Sequence, residues 1–183
     1  EHHALFKLAF ATGMRRSELL GLRWSDIDFK KSTISISQTA LKIGSTAVIS
    51  NTTKTASSKR IIAIDTETLQ ELMKHKIVID KRRIKTMNWI NNNLVFPGIK
   101  GAPRCPDEVS KLCKKYASLI GKPSFTMHGT RHTHATLLIE NGANMKAIQE
   151  RLGHASFQET MDTYSHVTPK MEDDIVERIS KIF

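Results

Sequence analysis

Leu5, Leu8, Ala9 and Thr12 recur at helical spacing across residues 4–12, and Gly13 stands where such a helix would close in left-handed backbone. A second, shorter helix is predicted over residues 17–22. From residue 33 the period drops to two: Ile34 and Ile36 alternate with polar neighbours, as on a half-buried strand over 33–37. Residues 47–49 and 60–64 predict two more strands. The polar run 51–59, whose only apolar residue is Ala56, predicts an exposed hairpin connection between them. Asp65 is placed to cap a long helix through 74–85, and residues 106–120 predict another.

The last third carries clear helix punctuation. A helix opening near His128 closes at Gly142; Asn144 can cap the next, which closes at Gly153. Ser156 and Glu159 form a capping box for a helix through Tyr164, and Thr168-Pro169 opens the last one. The elements together predict one domain over residues 1–183, mainly α with a small three-stranded antiparallel β-sheet (α+β). Because the first helical pattern is under way at once, the expectation is a domain cut from a longer protein.

Composition narrows the function classes. Among 183 residues, 39% are hydrophobic and 25% charged, the balance of a folded globule rather than a disordered chain. No apolar run approaches the roughly 18 residues of a membrane span, and no signal peptide opens the chain. Two cysteines, Cys105 and Cys113, make no disulfide framework and suit a reducing compartment. The net charge of +10 points to an acidic partner, with nucleic acid first. That charge is unevenly placed. Residues 1–158 hold 25 basic and 12 acidic side chains, +13, whereas residues 159–183 hold 3 and 6, −3. The tail suits protein contact better than phosphate contact. The basic clusters at 74–85 and 100–115 are each most simply solvated helix faces.

Several side chains sit where plain packing does not account for them. Arg131, Ala135, Leu138 and Ile139 fall at i, i+4, i+7 and i+8, so Arg131 starts a buried stripe. An inward arginine is costly unless an anion meets it. With His128 one turn behind, it can clamp a phosphate at the helix start; pairing with a distant carboxylate such as Glu18 is the structural alternative. His128 and His132 share the i, i+4 spacing zinc uses, but Gly129 and Thr130 stand where a metalloprotease would place its base, and no CxxC occurs. His132 and His134 read as packing or surface histidines. His154 follows a helix end, where the macrodipole favours its protonated form, or simply caps that helix. Tyr164, at i+7 from Phe157 and i+3 from Met161, faces an apolar stripe and, taken alone, reads first as a core tyrosine. Upstream, Arg15 lies at a helix–turn–helix junction three residues before Glu18, and Lys54 lies on the polar connection. Asp26-Ile-Asp28, the one close acidic pair of the kind Mg²⁺ favours, reads as a turn cap.

Taken together, TGMRRSELLGLRW, TKTASSKR, HGTRHTHA, ERLGH and TMDTYSHV resemble the tyrosine recombinase (phage integrase) family. They span residues 12–167, about 85% of the chain, and are most similar to integrases of phages and integrative conjugative elements of Gram-positive bacteria. The resemblance implies the integrase catalytic-domain fold, with N-terminal core-binding and arm-binding domains absent from this chain. It implies Arg15, Lys54, His128, Arg131, His154 and Tyr164 as catalytic residues and Glu18 as their support. The implied reaction cleaves and rejoins DNA through a covalent 3′-phosphotyrosine during integration or excision of a mobile element. In it Tyr164 attacks, His128 is the general base, and Arg15, Arg131 and His154 hold phosphate oxygens. Lys54 protonates the leaving 5′-oxygen.

No metal or other cofactor is implied, since the cations supply the charge that Mg²⁺ supplies in other phosphoryl-transfer sites. The implied partners are double-stranded attachment-site DNA, a homo-tetramer at a Holliday junction formed from free monomers, and an accessory directionality factor. No membrane is involved, and the setting is cytoplasmic and nucleoid-associated in a bacterial host. Met171, Ile175 and Ile179 give residues 168–183 an apolar helix face that docks on its own domain or is exchanged between protomers. Three alternatives compete: a type IB-like topoisomerase, a non-catalytic DNA-binding module of the same fold, and a zinc hydrolase built on His128 and His132.

Overall fold

A computed structural model of the chain describes residues 1–50 and 59–153. Helix α1 (His2–Thr12) buries Ala4, Leu5, Leu8, Ala9 and Thr12, the four-residue period of its sequence. Gly13 ends it at φ 63°, and a Cβ there would lie 2.7 Å from both the His134 ring and the Leu152 side chain. Left-handed backbone and close approach thus both demand glycine at this turn. Helix α2 (Arg16–Gly21) follows, and the Glu18 carboxylate in its first turn accepts from both the amide and the guanidinium of Arg15 at its N-cap.

The sheet differs from its expected composition. Strands β1 (Ile27–Asp28), β2 (Thr33–Ile36) and β5 (Arg60–Ala63) form one antiparallel sheet in the order β1-β2-β5. Strand β4 (Thr46–Ser50) pairs instead with β3 (Thr39–Ile43) in a separate two-stranded hairpin, closed by a loop in which Gly44 takes φ 59°. So β4 and β5, expected as neighbours across the polar connection, are not ladder partners among the described residues. The strand expected at 47–49 is β4, but its partner β3 escaped the sequence reading because only Ala40 of β3 is buried, which leaves almost no alternation to detect. Residues 51–58 of the connection lie outside the described residues. Asp26 closes a short 3₁₀ turn (Trp24–Asp26) with Arg23, and Asp28 accepts from the amides of Lys30 and Lys31, the turn-capping role expected of the pair.

The remaining helices follow their punctuation. Asp65 caps α3 (Thr66–Lys85) through the Thr68 amide at 2.8 Å, and Lys74, Lys81, Arg83 and Lys85 lie exposed, a solvated basic face. Pro106 opens α4 (Pro106–Leu119), Thr126 caps α5 (Met127–Glu140), and Asn144 caps α6 (Met145–Leu152). Leu5, Leu8, Leu20, Ile34, Ile62, Leu72 and Val109 meet in the main core. Ala135, Ile139, Ile148 and Leu152 make a smaller one between α5 and α6. The helices expected beyond Gly153 lie outside the described residues. No helix among the described residues is long and apolar enough to cross a membrane.

Candidate active site

The α1–α2 turn and the start of α5 face each other across a cleft of about 430 Å³ lined by Arg15, Arg16, Ser110, His128 and Arg131. Three of the expected site residues, Arg15, His128 and Arg131, are therefore brought together from positions more than a hundred residues apart in sequence. Lys54, His154 and Tyr164 lie outside the described residues.

Each arginine is fixed by backbone as well as by charge. Arg131 is 3% exposed on the buried stripe of α5, and its Nη1 donates to the Gly13 carbonyl at 3.0 Å. The costly inward arginine thus ends at the α1–α2 turn, beside Arg15. The side chain of Arg15 donates from Nη2 to the Gly153 carbonyl at 3.0 Å and from Nη1 to Glu18 Oε1 at 3.1 Å. The ERLGH motif therefore reaches the site through its glycine carbonyl, one residue before His154. His128 is exposed at the cleft, its ring edge-on to His132 with centroids 4.4 Å apart. Among the described residues, no group of three or more His, Cys, Asp or Glu side chains is placed to hold a metal ion.

Glu18 is the anion behind the cleft. It is 3% exposed, and Arg60 meets it with two hydrogen bonds of 2.9 Å, one to each oxygen, while the Arg15 amide adds a third at 2.8 Å. Burial alone would push this carboxyl up. The Arg60 hydrogen bond and charge, with the Arg15 amide and charge, outweigh burial and hold it below the usual carboxylate range. Glu18 is thus ionised at neutral pH and supports Arg15, whereas Arg131 takes the Gly13 carbonyl rather than Glu18. Arg60 also donates from Nε to the Arg151 carbonyl at 2.7 Å, which ties β5 to the end of α6.

Arg60 and Arg16 are the residues the sequence reading passed over, both visible inside quoted motifs. A signal for Arg60 was present. In the alternation of Arg60, Ile62 and Ile64 it shares the buried face, the same logic that singled out Arg131.

His134 proves to be a packing histidine, as expected. Its Nδ1 bonds the Phe10 carbonyl at 2.8 Å, and its Nε2 accepts from Arg151 Nε at 3.0 Å, an arrangement only the neutral ring with its proton on Nδ1 can make. Burial, then the Arg151 charge, pushes its pKa down to about 4. The folded chain therefore binds fewer protons than the unfolded one between pH 4 and 6.5, so stability is full above about 6.5 and falls as pH drops toward 4. The expected loss across that window is about 3 kcal/mol. Urea unfolding at pH 7 and pH 4.5 measures it, and His134→Gln should flatten the dependence; an unchanged slope in the variant would assign it to other groups.

The description "Phage integrase family" matches residues 1–171. The chain belongs to the phage integrase family. Among its relatives, the integrase of Staphylococcus phage L54a is 35% identical over 93% of this chain and 49% of its own length. A "Tyrosine recombinase XerC-like" protein of Caldanaerobacter subterraneus subsp. tengcongensis is 32% identical over 98% of this chain and 49% of its own length. The chain thus spans about half the length of these integrase-family relatives. Among solved structures, the Tn1549 transposon integrase in complex with circular intermediate DNA superposes with a TM-score of 0.80 at 28% identity, over 97% of this chain and 59% of that one. The fold is that of tyrosine recombinase catalytic domains, mainly helical with small antiparallel sheets.

Proposed function

We propose that this chain is the catalytic domain of a tyrosine-type site-specific recombinase, cutting and rejoining DNA during integration or excision of a mobile element. The observation that carries the reading is the convergence of Arg15, Arg131 and His128 on one cleft, with Glu18 holding Arg15 from behind. A pair of guanidiniums from two directions suits the non-bridging oxygens of one phosphate, and both are preorganised by backbone carbonyls before DNA arrives.

In the proposed reaction the Tyr164 phenolic oxygen attacks the scissile phosphorus and gives its proton to His128. A bond forms from phosphorus to the tyrosine oxygen as the bond to the 5′-oxygen breaks, and Lys54 protonates that oxygen. His154 adds a donor to the phosphate. A phenol with a pKa of about 10 needs both the acceptor and the charge neutralisation. The bond energy kept in the phosphotyrosine makes the reverse attack by a 5′-hydroxyl possible without a nucleotide cofactor. The +13 charge of residues 1–158 supports DNA as the partner, and relatives solved on DNA support it further. Assembly as a homo-tetramer from free monomers, exchange of residues 168–183 between protomers, and an accessory directionality factor belong to the same proposal.

The test is covalent capture. Incubated with a nicked suicide site, the chain should form a protein–DNA adduct that Tyr164→Phe abolishes. An adduct that survives this substitution would remove Tyr164 as nucleophile.

A further inference from the structure

The cleft holds a third arginine to which the proposed reaction gives no role. Arg16 lines it together with Arg15, His128 and Arg131. As the first residue of α2 it points away from its neighbour: Arg15 turns back to Glu18 and Gly153, while Arg16 reaches α4 and donates from Nη1 to Ser110 Oγ. The Ser110 hydroxyl takes one of five guanidinium donors and holds the group toward α4.

Arg16 interacts with Asp107 through space but makes no close contact with a carboxylate among the described residues. Among the described residues it forms no ion pair, and both candidates nearby are engaged elsewhere. Glu18 is held by Arg60 and Arg15, and Asp107, in the first turn of α4, is held by Lys42 at 2.6 Å. Three guanidiniums line one cleft, and Glu18, shared with Arg60, offsets only part of their charge, so the cleft suits more than one incoming negative charge. A single phosphodiester supplies one. Two successive phosphates of one DNA strand supply two, and Arg15 and Arg16 are held toward different elements of the cleft, one at Glu18 and Gly153 and the other at Ser110 of α4.

We propose that Arg16, latched by Ser110, binds the phosphate next to the scissile one on the cleaved strand, so that the cleft grips two consecutive phosphates. The proposal rests on the recombinase reading. Arg16 is here a binding residue that sets the register of the strand, and the reacting atoms are left to the Arg15/Arg131 side.

Single neutral methylphosphonate linkages, walked along the cleaved strand of the site, test it by binding of the full chain and of Arg16→Met and Arg16→Lys. The wild-type chain should lose binding roughly tenfold to a hundredfold at the scissile linkage and again at one adjacent linkage. Arg16→Met should bind normal DNA weaker by a similar factor and be indifferent to the adjacent neutral linkage, yet stay sensitive at the scissile one. Its slope of log affinity against log salt should be shallower by about 0.9. Arg16→Lys, which keeps the charge and loses the fork, should fall between. Persistent sensitivity of Arg16→Met at the adjacent linkage, or an unchanged salt slope, would overturn the two-phosphate grip and leave the recombinase reading standing. Wild-type protein indifferent to every neutral linkage would overturn both.

Discussion

Arg60→Met should destabilise the folded chain by about 3–5 kcal/mol, because it strands a buried carboxylate. The pair it breaks is almost dry: the Arg60 side chain is 7% exposed and that of Glu18 3%, with two hydrogen bonds of 2.9 Å between them. With Arg60 gone, Glu18 keeps the Arg15 amide and one guanidinium bond, too little to offset its desolvation. Its carboxyl, now held low chiefly by Arg60, should then rise. Urea denaturation measures the loss. Combining Arg60→Met with Glu18→Gln should return part of it, since the stranded charge disappears along with its partner. A single-variant loss below about 1 kcal/mol would mean that water replaces Arg60 at Glu18.

Arg131→Ala should slow covalent adduct formation by at least about 10²–10³-fold, the usual effect of removing one preorganised donor from developing transition-state charge. Here the donor is cationic and 3% exposed, so bulk water reaches the position poorly and substitutes for it weakly. Arg131→Lys should restore little, because an ammonium cannot keep the Gly13 carbonyl and a phosphate oxygen with one planar fork. Single-turnover capture on a suicide site measures the rate, and thermal unfolding of the same variants separates it from the stability lost with the Gly13 bond. A rate within tenfold of wild type would remove Arg131 from the phosphate.

These two arginines also show how far the sequence reaches. Arg131 stood out because a helix of period 3.6 placed it above Ala135 and Ile139, and both are buried in the fold. Arg60 obeyed the same rule at period two, above Ile62 and Ile64, but a strand of four residues gives the pattern too few repeats to stand out. The β3–β4 hairpin was less legible still, since its outer face is largely exposed and only Ala40 is fully buried. The motifs that resemble the integrase family named Arg15, His128, Arg131 and Glu18, and the cleft gathers the first three around a turn that Glu18 supports. Lys54, His154 and Tyr164 remain assigned by those motifs.

By itself the sequence determined what short-range chemistry controls. Caps at Asp65 and Asn144, left-handed glycines at 13 and 153, and the apolar periods set where helices begin, end and face, because each depends on residues within about one turn. Only the tertiary structure decided who meets whom. Glu18 finds Arg60 across 42 positions, Arg16 finds Ser110 across 94, and Arg131 finds Gly13 across 118. Such pairings are set by how packed elements exclude water and orient buried charges, and no local pattern encodes the partner of a charge that the core brings in from far along the chain.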